Sequence, residues 1–274
     1  MPQRLIWLAM AAVPAFGAPI MVNLGTANSF GLLGGTISNT GTSVVSGNVG
    51  GKTTVTGFPP GTTAGSGNNV YPAPSDPTVV MAYNDFVNAF NTAQTMMSTA
   101  SYADLTMDRT FTGNNVNTFA LTDISTATGI NLTFDALNDS NAVFVIKIAR
   151  DLTVNGALTF TLQNQAQAKN IFWIVGRDAT ISVGSSGPIA FYGDILAGSS
   201  FTMSAASGGP GTLAGTINGC VLAETANTLA GTTNVNGCSG VAAVPESGSF
   251  GLVSLSCLLG ILAWRRGITP SRRL

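Results

Sequence analysis

The feature that most restricts the fold of this chain is an internal repeat whose copies alternate with period two. Asn131 to Ile146 (NLTFDALNDSNAVFVI) lies over Thr159 to Ile174 (TFTLQNQAQAKNIFWI) without a gap at an offset of 28, which sets Thr133 on Thr161, Phe144 on Phe172 and Ile146 on Ile174. After one gap, Ala149-Arg150-Asp151-Leu152-Thr153-Val154 falls on Gly176-Arg177-Asp178-Ala179-Thr180-Ile181. The apolar-Thr-apolar triplet returns as Phe201-Thr202-Met203 and, more loosely, around Thr228-Leu229. Self-similarity at roughly 20 to 30 residues marks stacked supersecondary units, none of which buries its apolar face alone.

Within each unit large apolar residues flank threonine: Leu132 and Phe134 around Thr133, Leu152 and Val154 around Thr153, Phe160 and Leu162 around Thr161. Successive strand residues point to opposite faces, so the apolar set lines a core and the threonines face out. Two or three short strands between Gly, Asn and Ser turns describe one coil of a parallel β-helix. Stacked in register, such coils set Thr153, Thr180, Thr202 and Thr228 in a column about 4.7 to 4.9 Å apart. One segment departs from this period. Ser75-Asp76-Pro77 is a helix start, and Val80, Tyr83, Phe86, Val87, Phe90 and Met97 follow at helical spacing. The spacing predicts a helix over about 76–100, roughly 37 Å long, enough to lie along several coils.

Composition narrows the chemistry. The chain has no histidine, which removes Ser-His-Asp and Cys-His catalysis, His-ligated zinc and histidine general bases together. Charged residues are only 8% of 274, while 45% are hydrophobic and glycine and threonine number 33 each, so a packed β-rich domain is expected rather than disorder. Residues 1–18, with Arg4 before an apolar run and Ala15-Phe16-Gly17 after it, read as a secretory signal peptide. Residues 241–274 carry Val244-Pro245-Glu246, an apolar stretch from Phe250 to Trp264, and Arg265-Arg266, a membrane stop with positive charge inside. The exported part, 19–240, has six basic residues against eleven acidic ones, a net charge of −5 that disfavours nucleic acid. Its two cysteines, Cys220 and Cys238, either close an 18-residue loop as a disulfide or remain small buried thiols.

Four separated segments carry a family resemblance: Val22-Asn23-Leu24-Gly25-Thr26-Ala27-Asn28-Ser29-Phe30, Ala82-Tyr83-Asn84-Asp85, Gln167-Ala168-Lys169-Asn170-Ile171-Phe172-Trp173 and Gly193-Asp194-Ile195-Leu196-Ala197. From about Val22 to Thr233 the chain resembles the microbial ice-binding proteins. The resemblance implies an all-β fold, a right-handed, discontinuous, triangular β-solenoid with one long α-helix packed alongside. It also implies non-enzymatic adsorption to ice or an ordered water surface, with no cofactor and no metal. The outward candidates for that contact are Thr133, Thr153, Thr159, Thr161, Thr180, Ser182, Thr202 and Thr228. The C-terminal segment is similar to bacterial PEP-CTERM sorting signals, here with Val-Pro-Glu-Ser-Gly. That similarity implies an exosortase-like processing enzyme, a membrane contact before processing, and a secreted or cell-surface destination.

Other readings use the same residues. A glycan-cleaving β-helix would need paired carboxylates, with Asp135 and Asp139 or Asp151 and Asp178 as candidates; the last two follow Arg150 and Arg177 at equivalent repeat positions, as exposed cross-coil pairs would. Asp135 to Asn141 is either a calcium loop or, more simply, a polar turn. A cell-surface or matrix adhesin that binds polysaccharide without ice activity is the main competitor.

Overall fold

Every strand ladder among the described residues is parallel. Parallel neighbours need a long return path between them, and between Val143–Ile148 and Ile171–Val175, for example, that path runs along the other faces of the solenoid through Leu152–Asn155 and Leu158–Gln163. The computed structural model describes residues 22–72, 74–103, 105–126, 129–155, 157–183, 187–205 and 213–238. The expected signal segment and the sorting residues Val244, Pro245, Glu246, Arg265 and Arg266 lie outside the described residues.

The solenoid has three faces. The first runs through Ala100–Ser101, Val116–Leu121, Val143–Ile148, Ile171–Val175 and Asp194–Ala197, then the first parts of Val221–Ala230, Phe30–Asn39 and Asn48–Thr56, and ends on Val70–Tyr71. The second runs through Ile124–Thr126, Leu152–Asn155, Ala179–Val183 and Ser200–Ala205, then the second parts of the same three long strands. Those strands turn a corner where the register shifts between Gly34 and Thr36. Gly35 sits at that corner because a Cβ there would collide with the Thr225 carbonyl of the next coil. The third face is split into two ladders. Arg109–Thr112, Ile130–Asp135 and Leu158–Gln163 form one; Ile189–Tyr192, Leu213–Asn218, Thr232–Val235, Val44–Ser46 and Thr62–Ala64 form the other.

One coil is composite. Its third-face strand, Thr232–Val235, comes from the C-terminal end, pairing Leu213–Asn218 on one side and Val44–Ser46 on the other. Its other two faces are supplied by Phe30–Asn39 near the N-terminus, lodged between Val221–Ala230 and Asn48–Thr56. Cys220 and Cys238 are joined as a disulfide at this junction.

The helix, Pro77–Thr95, lies along the first face. Asp76 caps it by accepting from Thr78 N–H at 2.8 Å, with Pro77 in the first turn. It ends five residues short of the expected Ala100. The Lys147 ammonium donates to the Met96 carbonyl (2.8 Å), and Thr99 turns away to donate its N–H to Thr118 (2.7 Å). Nineteen residues make about 28 Å of helix, while nine strands with eight spacings make a face of about 38 Å.

Two apolar clusters flank the first face. The solenoid interior holds Phe111, Phe134, Phe144, Ile146, Trp173 and Phe201, and the helix side holds Val143, Val145, Phe172, Ile174, Leu196 and Phe86. This division corrects the expected alignment. The offset of 28 holds for Thr133 and Thr161 on the third face, but on the first face it is 27, pairing Phe144 with Ile171 and Val145 with Phe172. One residue fewer in the turn before Ile171 slips the register, and with period two such a slip reverses the direction of each side chain. Phe144 therefore points into the solenoid while Phe172 meets the helix.

Candidate functional site

The second face carries one unbroken row of hydroxyl side chains. Ser125, Thr153, Thr180, Thr202, Thr228, Ser38 and Thr56 are successive register partners across seven strands. Alternation explains the row, because the residues on either side point inward: Leu152 and Val154, Ala179 and Ile181, Phe201 and Met203 are all buried. Six strand spacings give a row about 29 Å long. Beside it runs a shorter row of Asn155, Ser182, Ser204 and Ala230, in which the Ser182 and Ser204 hydroxyls lie 3.2 Å apart. On its other side Ser200, Ala226, Thr36 and Thr54 are in register.

Among the described residues the hydroxyls of Thr153, Thr180, Thr202 and Thr228 have no protein hydrogen-bond partner. They are half-buried and turned to solvent. The expected candidates on the third face differ. Thr133 and Thr161 are partners there, and Thr159 pairs Asn131. Asn131 binds all three: its carbonyl accepts from Thr159 (3.2 Å) and Thr161 (3.0 Å), and its amide donates to the nearly buried Thr133 hydroxyl (3.2 Å). The eight candidates thus divide into five on the continuous face and three on the broken one. Ser38, Thr56 and Ser125 complete the continuous row without having been marked by the repeat.

The corner before this face is held by an aspartate ladder. Asp123 accepts the Asp151 N–H (3.1 Å), Asp151 that of Asp178 (3.2 Å), and Asp178 that of Ser200 (3.0 Å). Arg150 pairs with Asp123, and Arg177 lies 3.5 Å from Asp151. The Arg150 contact and the Asp151 N–H hold the Asp123 carboxyl below the ordinary range. The repeated Arg-Asp thus fixes coil spacing beside the hydroxyl row. Asp135 and Asp139 are likewise structural: backbone N–H bonds from Leu137 and from Asn115, respectively, hold both below the ordinary carboxyl range. A general acid for glycan cleavage needs the opposite shift.

Residues 32–236 match the sequence pattern of a family described as Ice-binding-like. The chain belongs to the ice-binding family. An ice-binding protein of Nostoc sp. (strain HG1) is 34% identical over 183 residues, 66% of this chain and 63% of the relative, so the match spans somewhat under two thirds of that protein's length. The crystal structure of an ice-binding protein from the Antarctic ascomycete Antarctomyces psychrotrophicus aligns with a TM-score of 0.63 at 30% identity, covering 79% of this chain and 98% of that one. One from an Antarctic biological consortium gives 0.62 at 27%, covering 81% and 95%. The ice-binding domain of Shewanella frigidimarina, at 22% identity and a TM-score of 0.58 over 80% of this chain and 99% of that one, shares the fold.

The four ice-binding-like segments each do structural work. Asp85 on the helix accepts from the Thr26 N–H (2.8 Å) and hydroxyl (2.7 Å), tying the segment from Val22 to the helix. Gln167 and Asn170 both donate to the Ser140 carbonyl (2.9 and 3.1 Å), and Trp173 Nε1 donates to that of Tyr192 (2.9 Å). Asp194 is fully buried and accepts the Cys220 N–H (2.9 Å).

Proposed function

We propose that this chain adsorbs to ice, without catalysis, through the second face, with Thr153, Thr180, Thr202 and Thr228 at the centre and Ser38, Thr56, Ser125 and Ser182 beside them. The observation that carries this reading is the registered row whose central hydroxyls are uncommitted. A parallel stack repeats about every 4.8 Å across strands and about every 6.6 Å along alternate residues, so the row and its neighbours form a two-dimensional lattice of side chains. β-Branching restricts the threonine rotamers before contact. Each side chain presents a methyl group to order water and a hydroxyl to bind it. The central row carries no charge, and strongly hydrated ions would compete with a lattice of water. Thr133, Thr159 and Thr161 are poorer candidates, since Asn131 holds their hydroxyls and their face is interrupted.

Export belongs to the same reading. Residues 1–18 act as the leader, 19–240 as the ice-adsorbing domain and 241–274 as a sorting segment that an exosortase-like enzyme cuts, leaving the domain secreted or at the cell surface. No observation on the fold favours polysaccharide as the ligand.

The test is a single ice crystal in a nanolitre osmometer with purified protein at micromolar concentration. Faceted growth, a freezing hysteresis gap and inhibited recrystallisation are expected. Unshaped crystals with neither effect, together with binding on a glycan array, would establish the adhesin instead.

A further inference from the structure

Where the first and last parts of the described chain meet, a buried carboxylate sits against a disulfide. Asp194 Oδ and the two sulfurs of Cys220 and Cys238 lie within 4.8 Å of one another. Asp194 is fully buried; its Oδ1 accepts from the Cys220 N–H, while Oδ2 has no partner among the described residues. A buried carboxylate oxygen left unbonded is costly unless something supplies a proton. With the disulfide closed neither sulfur has one to give; with it open, each carries one.

We propose that Asp194 is the proton-transfer group of the Cys220–Cys238 thiol–disulfide couple, making this bond a reversible clasp on the seam where the Phe30–Asn39 strand meets the C-terminal strands of the solenoid. The sulfurs are unequal in access: Cys220 is fully buried, Cys238 only partly. Closure with a small-molecule disulfide RSSR begins at Cys238, which gives its proton to solvent; its thiolate forms a Cys238–SR bond as the S–S bond of RSSR breaks, and the expelled RS⁻ takes a proton from solvent to leave as RSH. Asp194 then takes the Cys220 proton as that sulfur attacks Cys238, breaking the S–SR bond and expelling RS⁻. The carboxyl returns its proton, through solvent, to the departing thiolate. Two protein thiols lose two electrons and two protons, and RSSR becomes two RSH. In the reverse direction a thiol reductant attacks Cys238, and protonated Asp194 delivers a proton to the leaving Cys220 thiolate.

Among the described residues the surroundings leave this role to Asp194 alone. Phe172 pairs it from the Ile171–Val175 strand, Leu196 and Leu222 share the apolar cluster that holds Cys220, and Cys238 Sγ lies 3.2 Å from the Phe30 carbonyl oxygen. Burial pushes its pKa up to about 7, opposed only by the Cys220 N–H, and no charged side chain among the described residues contributes. A carboxyl poised there exchanges protons with thiols near neutrality.

The experiment uses the full chain, reduced under native conditions with a phosphine and reoxidised with oxidised glutathione from pH 5 to 9. Alkylation and peptide mass mapping read Cys220 and Cys238 separately from Cys257. Wild-type closure should accelerate through a midpoint near pH 7. Asp194→Asn should close about tenfold or more slowly at pH 7, with its acceleration moved to the ordinary thiol range near about 8.5. Equal rates and an unchanged profile would overturn the proposal. Should Asp194→Asn not fold, a reduced-minus-oxidised infrared difference spectrum of wild type decides: a protonated-carboxyl band that changes with redox state supports the role, and its absence overturns it.

Discussion

The sharpest consequence of the hydroxyl row concerns one substitution at its centre. Thr180 is third of seven in the row, flanked by Thr153 and Thr202. Tyrosine at this position reaches about 4 Å further than threonine on ordinary bond lengths, so a rigid face meeting a flat lattice stands off around it. At about 4.8 Å per strand the standoff reaches at least the strand on each side, removing Thr153, Thr180 and Thr202 from contact. Each threonine contributes about 0.8 kcal/mol for its methyl group and about 0.5–1.5 kcal/mol for its hydroxyl. Three lost contacts come to about 4–7 kcal/mol, a drop of roughly a thousandfold or more in adsorption at about 1.4 kcal/mol per factor of ten. Thr180→Tyr should leave circular dichroism and melting unchanged, because the position is solvent-facing, while the concentration needed to inhibit ice recrystallisation rises past the measurable range. Thr161→Tyr, on the third face, is the matched control and should keep wild-type activity. Full activity in Thr180→Tyr, or loss in Thr161→Tyr alone, would refute the assignment of the face.

Three further outcomes follow from the packing. Replacing Cys220 and Cys238 by serine opens an 18-residue loop, which costs about 3 kcal/mol on chain-entropy grounds and should lower the melting temperature by about 6–12 °C, read by calorimetry. Asp194 has a folded pKa raised from 3.8 to about 7, so the folded state binds its proton more tightly than the unfolded one. Its stabilisation is complete below about pH 4, falls as pH rises to about 7 and is flat above, amounting to about 4 kcal/mol; chemical denaturation of wild type against Asp194→Asn should show this difference vanish in the variant. Asp85→Ala removes both bonds to Thr26 and should cost about 2–3 kcal/mol, with amide exchange accelerating first at residues 22–30.

The period-two alternation made the solenoid and the Thr153–Thr180–Thr202–Thr228 column legible, since a strand's periodicity fixes which side chains share a surface. The same triplet signature did not say which of three surfaces. Thr133, Thr159 and Thr161 carry it equally well, and only the corner turns assign them to the interrupted face. Ser38 and Thr56 escaped because their strands enter the stack from the N-terminal end and share no repeat with it, although Ile37 inside Thr36-Ile37-Ser38 shows the same alternation. The gapless offset misplaced Phe172 by one position, because a turn one residue shorter is invisible until both partners are seen. The burial of Asp194 had no local signal: its neighbours Ile195 and Leu196 mark a strand, but the cover comes from chain far away in sequence.

The composite coil sets the order in which this molecule becomes a folded object. Thr232–Val235 is among the last described residues to leave the ribosome, yet it fills the gap between Leu213–Asn218 and Val44–Ser46. Until it arrives, the earliest strands lack one wall of their coil, and closing that wall joins positions about 190 residues apart at a loop-closure cost that no local turn offsets. Such a topology folds slowly and only when whole. A chain so arranged stays unlocked while it is being made, and becomes rigid only once Thr232–Val235 has taken its place between the two walls.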